Sequence, residues 1–246
     1  MERLLEALGI RRGDIVCVAG AGGKTTLIER LAEEARQAGL TALVTATTHM
    51  GGLNASGLPL VLESDGEADR RIERALAEHD RVWLLGERLR EDKLRGVAPE
   101  RVDALAGRAD LLLVEADGAR RRSLKAPGPH EPVLPSLTSL LVVVAGLDAI
   151  GLPFGPEAVH RFEIAAALTG ATPGRPIDEP LLAGVLCHPE SYPSRRPSGA
   201  RLALFLNKAD GAGAPDAVER LEGRLAPPYD RVAAGSAALG WARRVA

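Results

Sequence analysis

Residues 18 to 28 read VAGAGGKTTLI, with Gly20, Gly22 and Gly23 inside four positions and Lys24, Thr25 and Thr26 directly after them. Ordering that many glycines costs backbone entropy, so the loop should hold something that offsets the cost. Between a strand and a helix, the backbone N–H groups of Gly20, Ala21, Gly22 and Gly23 can point at one anion, and the helix N-terminus adds positive potential. Lys24 would reach the terminal phosphates of a nucleotide, Thr26 belongs to the same nucleotide-binding set, and the Thr25 hydroxyl would ligate Mg²⁺. The common G-x-x-x-x-G-K-[ST] spacing is not met, because Val18 stands five before Gly23. The match is to a shorter variant, G-x-x-G-K-T-T, starting at Gly20.

Such a loop needs a carboxylate at the end of a neighbouring strand. LLLVEADGA supplies Glu115, read as the metal-side ligand, and Asp117, placed to orient water or a substrate group. Two carboxylates this close repel unless a cation stands near them. The segment NKAD, Asn207 to Asp210, follows another apolar run and reads as a guanine site. Asp210 would accept both N–H groups of the base edge, Asn207 would contact the opposite edge, and the Lys208 stem would lie over the ring. A turn containing Ser236 follows the next strand. An ordinary turn at a strand end is the alternative reading of NKADG.

Beyond the acidic pair lies RRRSLKAPGPHEPVLP, residues 120 to 135. Arg120 and its neighbours, with Lys125, could bind an anionic substrate or stabilise phosphate charge in transfer. Solvated loop charge is the alternative for any one arginine. His130 and Glu131 sit in the proline-rigidified part. His160 and Arg161 could complete the same pocket, with Thr48 and His49 from TATTHMGG. Lys24, Glu115, Asp117 and Lys125 form the candidate catalytic set.

The elements that must position these groups are legible as short apolar runs at 14–20, 41–46, 81–86, 110–118, 139–146, 201–207 and 230–236. They are continuous rather than alternating, as strands buried on both faces of a parallel sheet should be. Helical patterns lie between them, at 24–39, 65–79, 99–106, 157–169 and 214–224. Alternation of this kind specifies an open three-layer α/β sheet with helices on both faces, like that of P-loop NTPases. The reading is a single domain over 1–246, with proline-rich loop insertions near 120–135 and 186–200.

Composition narrows the function classes. The chain has 246 residues, 46% of them apolar, and a formal net charge of -2. No overall positive field draws it to nucleic acid or anionic membrane, and 3% aromatics leave few stacking platforms for single strands. The longest apolar stretch, 139 to 147, is too short to span a bilayer. The start lacks the apolar core of a secretory signal. Cys17 and Cys187 make no metal spacing and read as buried thiols, so the expectation is a cytoplasmic protein.

These residues together resemble the YqeC family, accessory proteins of selenium-dependent molybdenum hydroxylases. The likeness runs through GAGGKTTLI, TTHM, the block from Glu115 to Pro135, VVVAGLDAIGLPF and VHRFE, covering most of residues 10 to 210. It departs from the family pattern at GARRRSLK, where Arg120 and Ser123 keep the charge but change the local residues. The resemblance implies a P-loop NTPase linked to maturation of such a hydroxylase or its cofactor, with the hydroxylase or another maturation protein as partner. Three functions are carried forward. The first is a Mg²⁺-dependent NTPase, GTP favoured over ATP. The second is an ATP-using ligase or kinase acting on a small anionic substrate, in the manner of Mur-type amide ligases. The third is a binding module whose conformation nucleotide sets.

Overall fold

The computed structural model describes residues 2–51 and 57–246. Nine strands form its central sheet: β1 (Ile15–Gly20), β2 (Ala42–Ala46), β3 (Leu60–Leu62), β4 (Arg81–Leu85), β5 (Leu111–Glu115), β6 (Leu140–Gly146), β7 (Arg201–Asn207), β8 (Arg231–Ser236) and β9 (Trp241–Arg244). Their order across the sheet is β9-β8-β7-β6-β1-β5-β2-β4-β3. All neighbouring pairs are parallel except β8 and β9.

Among the described residues seven helices flank the sheet: α1 (Leu4–Leu8), α2 (Lys24–Gln37), α3 (Ala68–His79), α4 (Pro99–Ala104), α5 (Phe162–Thr169), α6 (Glu179–Cys187) and α7 (Ala214–Leu221). Alternate residues of β1 serve two cores. Val16 and Val18 pack with Leu27, Ile28 and Leu31 of α2 and with α1, whereas Ile15, Cys17 and Ala19 pack toward α3 and α6. This makes the architecture three-layered α/β, with every residue of β1 and β6 buried. Glu34, buried on α2, accepts from the Leu4 and Leu5 amides at 3.1 and 3.0 Å, and so caps α1.

All seven apolar runs are strands of this sheet. The sequence reading misses β3, α1, α6 and β9. β9 is an antiparallel edge strand, Trp-Ala-Arg-Arg, of which only one residue is buried, so it shows no apolar run. The helix expected at 157–169 begins only at Phe162, because Val159 and His160 instead pair in parallel with Leu124 and Lys125. That small pairing ties the arginine-rich loop to the start of α5. The second proline-rich stretch opens with the end of α6 and a 3-10 turn at Tyr192–Arg195.

Candidate functional site

The glycine loop leaves β1 at the carboxyl edge of the sheet and enters α2. Gly20 and Gly22 have φ of 96° and 86°, and a Cβ on them would lie 2.2 Å from the Val144 carbonyl oxygen and 2.3 Å from the Gly146 amide nitrogen. The glycines are therefore required by the close approach of the loop to β6, whatever the loop holds. Three loop amides are also committed within the protein. Gly20 N–H donates to both Asp117 oxygens at 3.2 and 3.1 Å, Ala21 N–H to Val144 O at 2.8 Å and Gly22 N–H to Arg122 O at 3.0 Å. An anion-binding role for the Gly20, Ala21 and Gly22 amides is thus not what this conformation offers. Among the described residues, the amides of Gly23, Lys24, Thr25 and Thr26 have no protein acceptor. These four open the 14-residue α2, where an anion is favoured.

Lys24 is turned inward. Its ammonium donates to Gly20 O at 2.8 Å and pairs with Asp117 at 3.2 Å. β5 runs beside β1, and its last residue, Glu115, accepts from the Thr25 hydroxyl at 2.7 Å. Burial pushes the Glu115 carboxyl above its ordinary range, against the pull of Lys24 and Thr25. A hydroxyl and one carboxylate form the hard-oxygen donor set that fits a Mg²⁺ keeping its waters and taking phosphate oxygens. Among the described residues no cluster of three His, Cys, Asp or Glu side chains exists to cage a metal by itself.

Asp117 and Lys125 have different positions from those the sequence suggests. Asp117 is 0% exposed and is fully engaged by Gly20 N–H, Lys24 and Lys125. It anchors the loop and does not face a ligand. The Lys125 ammonium, also buried, meets Gly118 O at 2.6 Å, Asp117 at 2.8 Å and Glu131 at 2.9 Å. All three of its protons have acceptors, which leaves none for catalysis or substrate. Lys24, Asp117, Lys125, Glu131 and Arg161 thereby form a continuous chain of alternating charge. Burial alone would raise the Glu131 carboxyl, but hydrogen bonds from Arg161 and Lys125 bring it down to about 2.

Asn207 is buried, its Nδ2 donating to Gly22 O at 2.8 Å and its Oδ1 accepting from Ala237 N–H at 2.9 Å. The side chain thereby joins the glycine loop to the turn after β8, a tie the sequence reading assigns instead to a base edge. Ser236, likewise buried, accepts from the Leu239 amide at 3.3 Å and shapes that turn. Lys208, with φ of 63°, pairs with Asp148 at 2.6 Å. Lys208 and Asp210 line a cleft of about 520 Å³ with Leu147 and Ile150. Lys208 also reaches the cleft over the glycine loop, which has a volume of about 660 Å³ and includes Thr25, Thr26 and Glu115. Asp148 escaped the sequence reading, although AGLDAIG places a carboxylate directly after β6.

A further cleft of about 650 Å³ gathers Thr48, His49, Arg120, Glu131, His160 and Arg161. His130 is not among its lining residues; it is exposed on the turn at 128–131. Thr47 is withdrawn, its hydroxyl donating to Val133 O at 2.7 Å.

Comparison with known proteins follows the same residues. The family model described as YqeC protein matches residues 16–163. The Uncharacterized protein YqeC of Escherichia coli strain K12 is 34% identical over 204 residues, covering 80% of this chain and 77% of that protein. Among solved structures, FtsY from Mycoplasma mycoides gives a TM-score of 0.44 at 14% identity, over 94% of this chain and 64% of that one. The signal recognition particle receptor FtsY from Elizabethkingia anophelis gives 0.38 at 16% identity, over 91% and 58%. The chain spans under two thirds of each FtsY structure.

Proposed function

The chain belongs to the YqeC family, and we propose that it binds a nucleoside triphosphate with Mg²⁺ at the α2 N-terminus and hydrolyses it. One observation carries this reading: the Thr25 hydroxyl and the Glu115 carboxylate meet at 2.7 Å beside four unpaired helix amides and Lys24. The amides hold the terminal phosphates, and Lys24 leaves Asp117 to neutralise them. Thr25 and Glu115 hold the metal, which when bound offsets phosphate charge. GTP is favoured over ATP, because Asp210 and Lys208 line a neighbouring cleft and a carboxylate there can accept the paired N–H groups of guanine. The nucleotide step serves the maturation of a selenium-dependent molybdenum hydroxylase in the cytoplasm, with the hydroxylase or another maturation protein as partner. Among the described residues no helix is long and apolar enough to cross a membrane.

A second reading, a ligase or kinase acting on a small anionic molecule, is favoured by the arginine-lined cleft that shares its wall with the glycine-loop cleft. Assaying phosphate release with and without candidate acceptors separates the two. Steady release from Mg-GTP alone supports hydrolysis, and release only with an acceptor supports transfer.

A further inference from the structure

We propose that the cleft walled by Arg120, Arg122, His160 and Arg161 binds a small phosphate monoester next to the terminal phosphate of the nucleotide. Its volume, about 650 Å³, suits a small organic molecule. His49, Gly118, Arg120 and Arg122 line both this cleft and the one over the glycine loop. A ligand here therefore lies against the same arginines as the nucleotide tail.

The cleft is built to hold its cations in place. Arg161 gives Nε and Nη2 to the two Glu131 oxygens at 2.8 and 2.9 Å, which fixes the guanidinium plane and leaves Nη1 free to donate. Glu131 is itself held by the buried Lys125 and by the Gly128 amide at 3.1 Å. Among the described residues Arg122 pairs only with Glu157, a side chain 90% exposed, so that pair is weak in water. Arg120, Arg121 and Arg161 all have positive φ, at 47°, 61° and 58°. Left-handed backbone at a non-glycine residue persists where the surroundings impose it.

His160 senses the same positive field. Burial first, then Lys125 and Arg161, hold its imidazole below its ordinary pKa, so at neutral pH it offers one N–H donor and one acceptor. The remaining wall is not uniformly cationic. Val159 and Phe162 are apolar, and Glu163 supplies an acceptor. An organic body with a hydrogen-bond donor fits that wall better than a bare anion does. The phosphate belongs on the arginine side.

The proposal rests on the nucleotide reading only for what lies next door, and the test separates the two. Phenyl phosphate is titrated calorimetrically into the full chain saturated with Mg²⁺ and a non-hydrolysable GTP analogue, so that the glycine loop is filled. One saturable site is expected, weakened about tenfold or more in Arg161→Ala and in His160→Ala. Loss of one charge-assisted hydrogen bond, about 1.5–3 kcal/mol, corresponds to that change. Arg74→Ala, on the exposed face of α3, should leave it unchanged. Absence of saturable binding in the wild type, or wild-type affinity in either cleft variant, overturns the proposal. If no nucleotide binds, the nucleotide reading fails on its own. The cleft is then tested by the same titration into Lys24→Ala and Lys24→Ala/His160→Ala, where binding by the first and tenfold weaker binding by the second sustain it, and any other result ends it.

Discussion

Replacing Lys125 with Met tests whether the buried charge chain is structural. The ammonium is 0% exposed and is the shared partner of Asp117 and Glu131, at 2.8 and 2.9 Å. Removing one member of a buried ion pair costs about 3–5 kcal/mol, because the surviving charge stays buried without compensation. Here both survivors keep other partners. Asp117 retains Lys24 and the Gly20 amide, and Glu131 retains the two-pronged Arg161 contact. The loss should therefore fall near the lower end, about 3 kcal/mol. At this chain length each kcal/mol moves the midpoint by about 2–4 °C, so a fall in Tm of about 6–12 °C is expected. Urea denaturation and calorimetry read both quantities. With the protein still folded, nucleotide affinity should change less than stability. A stability loss under about 1 kcal/mol accompanied by collapse of turnover would refute the structural role and restore Lys125 as a catalytic candidate.

Four further outcomes follow. Glu131 has a folded pKa of about 2 against an ordinary 4.5, so its contribution is complete above the unfolded value and vanishes as pH falls toward 2. Wild type and Glu131→Gln should differ by up to about 3 kcal/mol at pH 7 and converge in acid, measured by urea melts across pH. Asn207→Ala leaves the Gly22 carbonyl and the Ala237 amide unpaired in the interior and should lose about 2–4 kcal/mol of stability in the same assay. Thr25→Val should bind nucleotide equally with Mg²⁺ and with EDTA, as followed by fluorescence of a labelled analogue. Asp210→Asn should weaken GTP about tenfold or more while leaving ATP unchanged, which competition binding reads; equal loss for both nucleotides would remove the guanine assignment.

The sheet was legible because its interior strands are buried on both faces and therefore appear as unbroken apolar runs. Edge strands carry no such mark: β3 has three residues and half of β9 is arginine. At the site, residue types place Lys24, Thr25 and Glu115 in one group, and the fold sets Thr25 against Glu115 with Lys24 lining the same cleft. Spacing along the chain could not say which way each side chain turns. Asp117, Lys125 and Asn207 look like ligand-facing groups in sequence, yet burial commits each of them to neighbours that only the fold brings close. The glycines share this ambiguity. A glycine demanded by a phosphate and one demanded by the backbone of β6 read alike until Val144 and Gly146 are seen beside them. His130 and Glu131 are adjacent in sequence, yet Glu131 lines the cleft while His130 is exposed on the turn.

The central claim is tested most directly by titrating Mg-GTP and Mg-ATP into wild type and Lys24→Ala by calorimetry. One Mg²⁺-dependent site in the wild type, weakened at least about tenfold when the ammonium is removed, is the predicted result. No heat with either nucleotide, or undiminished binding by Lys24→Ala, would contradict a polyphosphate site at the start of α2.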